Sequence, residues 1–133
     1  MATPNDRRYT DQHEWALVQE DDGAATVVRI GITDHAQDAL GDIVFVQLPA
    51  VGEEVSAGSP IGEVESTKSV SDIYAPVGGT VAAVNTVLEN APETINSDPY
   101  GDGWLVEISV PGAGDPTSEL LDADAYQAIV DAA

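Results

Sequence analysis

The sequence predicts a mainly β fold, a folded sandwich with a short helix after its first hairpin and a second helix at the C-terminal end. Three observations predict it. Apolar and polar residues alternate over short runs separated by turn formers, among them Asp21-Asp22-Gly23, Pro49 and Ala75-Pro76-Val77-Gly78-Gly79. A faint echo, Gly52-x-x-Val55 before the stretch around Lys68 and Gly78-x-x-Val81 after it, is what approximate two-fold symmetry about that stretch would leave. Leu120, Leu121, Tyr126, Ile129 and Val130 return at helical spacing.

Composition narrows the function before any motif does. With 133 residues the chain suits one domain spanning 1–133, with one hydrophobic core. It is 43% hydrophobic, yet no apolar run approaches the ~20 residues that a membrane helix needs, so no membrane partner is expected. Arg7-Arg8 precede Tyr9-Thr10-Asp11-Gln12 rather than an apolar segment, so no export signal is read and a cytoplasmic location is expected. Cysteine is absent, which excludes disulfides and thiolate metal sites. The net charge of -20, from 24 acids against four basic side chains, excludes nucleic acid as a partner, because phosphate binding needs a basic footprint. Acids scattered along the chain with almost no lysine suit a salt-rich cytoplasm, where counter-ions remove self-repulsion, so a halophilic source is expected.

Taken in order, residues 1–6 carry no periodicity and read as a mobile terminus. His13 to Gln19 alternates, with Trp15 and Leu17 on one side and Glu14, Ala16 and Val18 on the other; Asp21-Asp22-Gly23 turns it into Ala25 to Ile30. Thr33 is a helix N-cap and Gly41 a stop, about two turns apart. Asp42 to Leu48 is apolar on both alternating sets, which predicts a strand buried on both faces and ended by Pro49. Val51 to Gly58 supplies a turn and a short strand.

Two β-prone runs follow, Ile61 to Ser66 and Ser69 to Tyr74, and read as a hairpin with Thr67-Lys68 at its tip. A two-residue loop puts Val64 and Ile73 on one face, Ile61, Val70 and Tyr74 on the other, Glu63 opposite Asp72, and Lys68 out in solvent. Thr-Lys lacks the Asn-Gly or Asp-Gly pair of the primed turns, which leaves a type I turn or a longer loop as alternatives. Val81 to Val87 reads as a strand, 92–103 as a long loop, and Trp104 to Val110 as the last strand with Trp104, Val106, Ile108 and Val110 on one face. Residues 111–116 read as a linker and 117–131 as a C-terminal helical segment, with Asp122 a possible cap.

No nucleophile elbow, phosphate loop, zinc spacing or dinucleotide fingerprint is present, and His13 and His35 lack metal-ligand spacing. An autonomous active site is not expected; the chain reads as a carrier of chemistry done elsewhere. Lys68 is the only lysine of the chain, and it sits at a predicted hairpin tip where a modifying enzyme could reach its amine.

The segment Val64-Glu65-Ser66-Thr67-Lys68-Ser69, followed by Ser71-Asp72-Ile73-Tyr74-Ala75-Pro76 and Gly79-Thr80-Val81, resembles the lipoyl-attachment segment of the glycine cleavage system H protein family. The likeness extends to Tyr9-Thr10, His13-Glu14-Trp15, Gly31-Ile32-Thr33-Asp34, Leu40-Gly41-Asp42-Ile43-Val44-Phe45-Val46, Asn96-Ser97, Pro99-Tyr100 and Gly103-Trp104, in one order over most of the chain. The resemblance implies a barrel-sandwich hybrid of the lipoyl/biotinyl-carrier type, with lipoic acid amide-linked to Lys68. It implies glycine decarboxylase with its pyridoxal phosphate, an aminomethyltransferase using tetrahydrofolate, dihydrolipoyl dehydrogenase and a lipoylating enzyme as partners. The carrier would take an aminomethyl group from the first to the second. Glu65 and Gly79 match positions that present the lysine for lipoylation, with a solvated strand carboxylate and a plain turn glycine as their ordinary readings. Glu14 and Asp72 match carboxylates that shelter the loaded arm, against the ordinary reading of solvated acids; where some relatives have serine and histidine this chain has Gln12 and Ala39. A biotin carrier would want Met beside the lysine, and an acyltransferase lipoyl domain would have Asp-Lys-Ala within a larger chain. A lipoate-relay H-like protein and an unmodified interaction module stay open as alternatives.

Overall fold

The protein is described by a computed structural model covering residues 3–21, 23–112 and 114–132. Its strands are β1 (Arg8–Tyr9), β2 (Glu14–Asp21), β3 (Ala25–Ile32), β4 (Ile43–Gln47), β5 (Glu54–Val55), β6 (Pro60–Ser66), β7 (Val70–Tyr74), β8 (Gly79–Val84) and β9 (Val106–Pro111). The helices are α1 (Asp34–Leu40), α2 (Thr94–Ser97) and α3 (Ala123–Ala132), with a 3-10 turn over Thr86–Glu89. Antiparallel pairing builds a six-stranded sheet in the order β1-β2-β3-β9-β8-β5 and a three-stranded sheet in the order β4-β6-β7. The fold is the barrel-sandwich hybrid of the lipoyl carriers.

Strand β2 shows how alternation divides the interior. Ala16 joins the main core with Val28, Ile30, Val64, Ile73, Val106 and Ile108, while Trp15 and Leu17 point the other way into a second cluster with Tyr9, Tyr126 and Ala123. The rings of Tyr9 and Tyr126 stack at 4.8 Å, and the Trp15 indole N–H donates to the Pro99 carbonyl at 3.0 Å. Helix α3 therefore covers the back of the large sheet at its β1 end, over the start of β2. Asp122 caps it by accepting from the Ala125 N–H at 2.8 Å.

The predicted register of the lysine hairpin is the one observed: Glu65 faces Val70, Val64 faces Ser71 and Glu63 faces Asp72. The two Gly-x-x-Val segments turn out to be each other's partners, Glu54 opposite Thr80 and Val55 opposite Gly79, with the Gly52 N–H bonded to the Val81 carbonyl at 2.8 Å.

Several expectations are corrected. β4 is not buried on both faces: it is an edge strand, and Val44 and Phe45 are 51% and 52% exposed because none of the described residues covers the outer side of the small sheet. Ile61 does not share a face with Val70 and Tyr74; a register shift between Pro60 and Gly62 turns it into the core with Val64 and Ile73. β8 ends at Val84, where Asn85 caps the 3-10 turn. Trp104 precedes β9 and packs in the second cluster, leaving Leu105 buried in the first. The stretch from 117 to 131 is helical only from Ala123, because Leu121 pairs as a β-bridge with Tyr9. Within 111–116, Pro111 still belongs to β9 and Asp115 accepts from Thr117; Ala113 lies outside the described residues. Of residues 1–6, Thr3 bonds to Gln127 on α3 and the Pro4 carbonyl accepts from the Tyr9 hydroxyl at 2.6 Å, while Met1 and Ala2 lie outside the described residues.

Candidate functional site

Lys68 stands at the tip between β6 and β7, and Ser66 makes the turn that Thr-Lys by itself does not favour. The Ser66 hydroxyl accepts from the backbone N–H of Lys68 at 3.3 Å and of Ser69 at 3.1 Å, and its own N–H donates to the Ser69 carbonyl at 2.8 Å. A side-chain acceptor thus closes the loop, and neither Thr67 nor Lys68 has the positive φ of a primed turn.

The tip is docked rather than free. The Thr67 N–H donates to the Asp42 carbonyl at 3.1 Å. The Lys68 side chain is exposed but lies over Gly41: a Cβ built on that glycine would stand 3.4 Å from the lysine Cε and 3.8 Å from Nζ. Gly41 has φ 84, so it serves both the helix stop and the close passage of the lysine. This corner is held by Asn96, whose amide donates to the Gly41 carbonyl and to Gln37 Oε1, each at 2.9 Å, and accepts from the Ile43 N–H at 2.9 Å. No ion pair engages Lys68 among the described residues, whose two salt bridges are Arg7–Asp6 and Arg29–Glu107. An exposed amine with no competing carboxylate fits covalent acylation, which removes its charge without stranding a partner.

Glu65 lies on the outer face of the small sheet, in register between Phe45 of β4 and Val70 of β7. Gly79 is far along the chain at the start of β8 and has a packing reason of its own: a Cβ there would meet the Ser109 carbonyl oxygen at 2.3 Å.

Glu14 and Asp72 line separate cavities. Asp72 is exposed and borders a cavity of about 540 Å³ with Glu63, Gln47 and Glu53. Glu14 is 1% exposed and borders a cavity of about 440 Å³ with Thr10, Gln12, Tyr74, Pro76 and Leu121. It accepts from the Tyr74 N–H at 2.8 Å and from the Thr10 hydroxyl at 3.0 Å, tying β2 of the large sheet to β7 of the small one. Burial pushes its carboxyl up to about 7, against the downward pull of those two hydrogen bonds. Along β7 from Lys68, Asp72 is four residues away, about 13 Å, and Tyr74 six, about 20 Å.

Sequence reasoning missed the meeting of the two histidines. His13 turns with φ 66, its ring lies 4.7 Å from that of His35, and its Nδ1 is 2.8 Å from the Tyr126 hydroxyl, which in turn bonds Thr33. Burial, then the neighbouring His35, lowers the His13 pKa. The roles of Ser66 in closing the turn and of Asn96 in holding the corner were missed, although both residues stand in the matching motifs; Gly41 was read as the helix stop but not as the floor under the lysine.

The family model "Glycine cleavage H-protein" matches residues 7–133. The glycine cleavage system H protein of Mycobacterium avium is 58% identical over 127 residues, covering 93% of each chain. That of Mycolicibacterium smegmatis is 57% identical over 129 residues, covering 96% of this chain and 95% of its own. The crystal structure of a glycine cleavage system H protein from Mycobacterium marinum superposes with a TM-score of 0.84 at 48% identity, over 96% of this chain and 98% of that one.

Proposed function

The chain belongs to the glycine cleavage H-protein family, a lipoyl-carrying shuttle of that system rather than a catalyst, and from that premise we propose that Lys68 is its attachment point for lipoate. The observation that carries the proposal is the unpaired amine of the only lysine, presented on a two-residue tip that Ser66, Asp42 and Asn96 hold in place. When attached, a lipoyl group supplies a dithiolane whose opening accepts an aminomethyl cargo. The finer assignments follow the family resemblance: loading by glycine decarboxylase, delivery to the aminomethyltransferase, reoxidation by dihydrolipoyl dehydrogenase, all in the cytoplasm. Glu65 presents Lys68 to the lipoylating enzyme, with Gly79 fixing the strand behind it.

Asp72 and Glu14 are the proposed shelter of an amine cargo. Asp72 stands nearer the attachment point and is open to solvent; Glu14 is deeper and already holds two donors. A protonated amine reaching either gains a charge-assisted hydrogen bond worth about 1.5–3 kcal/mol when shielded. Operation at high salt is a further part of the proposal. It rests on the charge of -20 alone, since the relatives named above are mycobacterial and lend a halophilic source no support.

Reconstitution tests the reading. Lipoylated protein mixed with the three enzymes, tetrahydrofolate and a two-electron acceptor for the dehydrogenase is expected to release ammonia in proportion to glycine, and the Lys68→Arg chain to release none. Release undiminished by Lys68→Arg would refute the assignment.

A further inference from the structure

His13 and His35 are the only histidines of the chain, which holds no cysteine. Far apart in sequence and without ligand spacing, they meet where β2 and α1 begin, with ring centroids 4.7 Å apart and planes tilted by 43°. Two imidazoles that share one cation through bonds of about 2.0–2.1 Å have centroids about 4.5–5 Å apart. The rings therefore already stand at a chelating separation. Both residues are half-buried, open enough for a hydrated cation to arrive. One ring is held and the other is left movable. His13 Nδ1 is 2.8 Å from the Tyr126 hydroxyl, which lies 2.7 Å from Thr33 Oγ1. With Nδ1–H donating to Tyr126 and Tyr126 donating to Thr33, Nε2 keeps its lone pair, the arrangement in which an outer partner orients a ligating histidine. The His35 ring makes no hydrogen bond among the described residues, so it is free to rotate about its side-chain bonds and complete the pair. His13 also adopts φ 66, a conformation that residues with a Cβ seldom take up, and that turn brings its ring against α1.

We propose that His13 and His35 form a two-imidazole site for a borderline divalent cation of the zinc or copper(II) class, joining the start of β2 to the first turn of α1. The site stands apart from the reading of Lys68 as the attachment point. Imidazole selects this class over magnesium and calcium, which take oxygen ligands. No cluster of three or more histidine and carboxylate ligands forms among the described residues, so water fills the remaining positions. A cavity of about 30 Å³ beside His35, lined also by Asp34 and Tyr126, has room for one such water. Asp34 in the first turn of α1 offsets the positive helix end, and the net charge of -20 raises the local concentration of cations. Helix α1 stops at Gly41 beneath Lys68, so a bound cation braces the helix that floors the lysine tip.

The test uses the full chain without lipoate, so that no dithiol competes, in molar potassium nitrate, which screens loose attraction to the acidic surface. Zinc binding is followed by calorimetry, and the imidazole nitrogens by nitrogen NMR. We expect one zinc per chain, a melting temperature that rises with zinc and is unmoved by the same concentration of magnesium, and a shift of the His13 Nε2 resonance while Nδ1 keeps its proton. Copper(II) is expected to bind more tightly than zinc. His35→Gln and His13→Asn should each weaken Kd about tenfold or more. Tyr126→Phe, which keeps both ligands and removes only the orienting hydroxyl, should weaken it by a similar factor. Should Tyr126→Phe or His13→Asn lose cooperative unfolding, His35→Gln alone carries the comparison. Zinc binding undiminished by His35→Gln would overturn the proposal. So would zinc binding no tighter than magnesium binding, or binding that leaves both imidazoles unshifted.

Discussion

The six-stranded sheet is covered by the main core on one face and, over β1 and the first half of β2, by the Tyr9–Trp15–Tyr126 cluster under α3 on the other, whereas among the described residues the three-stranded sheet that carries Lys68 is covered on one face only. The first arrangement buries aromatic bulk and holds the molecule together. The second leaves the lysine tip and its flanking row in water, where other proteins can reach them. Stability and display are divided between the two sheets. Glu14 spans the division, with its backbone in β2 and one carboxylate oxygen on the Tyr74 N–H of β7.

Removing bulk from the covered sheet should be the costliest change. Trp15 is fully buried, and Trp15→Ala is expected to lose about 3–5 kcal/mol of stability, against less than about 0.5 kcal/mol for Phe45→Ala on the open face. Urea unfolding of the two variants compares the faces directly; equal losses would erase the distinction drawn between them.

Next comes the bridge. Burial raises the Glu14 carboxyl from 4.5 to about 7, so the folded chain keeps a proton there that the unfolded chain gives up. Its contribution to stability is therefore full below pH 4.5 and is lost as the pH rises through about 7, a change on the order of 3 kcal/mol. Glu14→Gln cannot titrate, so the stability of wild type relative to this variant should fall across that window. Unfolding free energies measured at stepped pH check it, and a difference that stays level or rises contradicts the raised value.

The smallest effect belongs to the acidic row of the open sheet. Glu63 directly faces Asp72, a like-charge pair that costs up to about 1 kcal/mol in dilute buffer. Glu63→Gln should raise the melting temperature in dilute buffer and change it little in molar potassium chloride, where the Debye length is only about 3 Å. A gain that persists unchanged at high salt would assign the effect to packing rather than charge.

Much of this division was legible in the sequence. Alternation in β2 sorted Trp15 and Leu17 from Ala16, Thr33 and Gly41 bounded α1, and the two-residue loop set the hairpin register correctly. β4 misled because an apolar pattern on both faces does not distinguish a buried strand from one that keeps an apolar face for contact. Ile61 misled because a bulge breaks the period of two; Gly62 inside the run and Pro60 at its start are residues that mark bulges, and that signal was not used. The Ser66 turn and the Asn96 staple were invisible because each depends on a side chain reaching a backbone that sequence does not place nearby. His13 and His35 meet across a turn in which His13 adopts φ 66, a conformation that apolar periodicity does not foretell.

Peptide mapping by mass spectrometry of the chain after incubation with a lipoylating enzyme and activated lipoate tests most directly the proposed presentation of Lys68 by the open sheet. The account predicts a single lipoyl group, located on Lys68, no adduct on the Lys68→Arg chain, and the same far-UV circular dichroism and melting temperature for both, because an exposed tip contributes little packing. A lipoyl adduct that persists on Lys68→Arg, or a wild-type chain that stays unmodified beside a control carrier that is fully lipoylated, would contradict it.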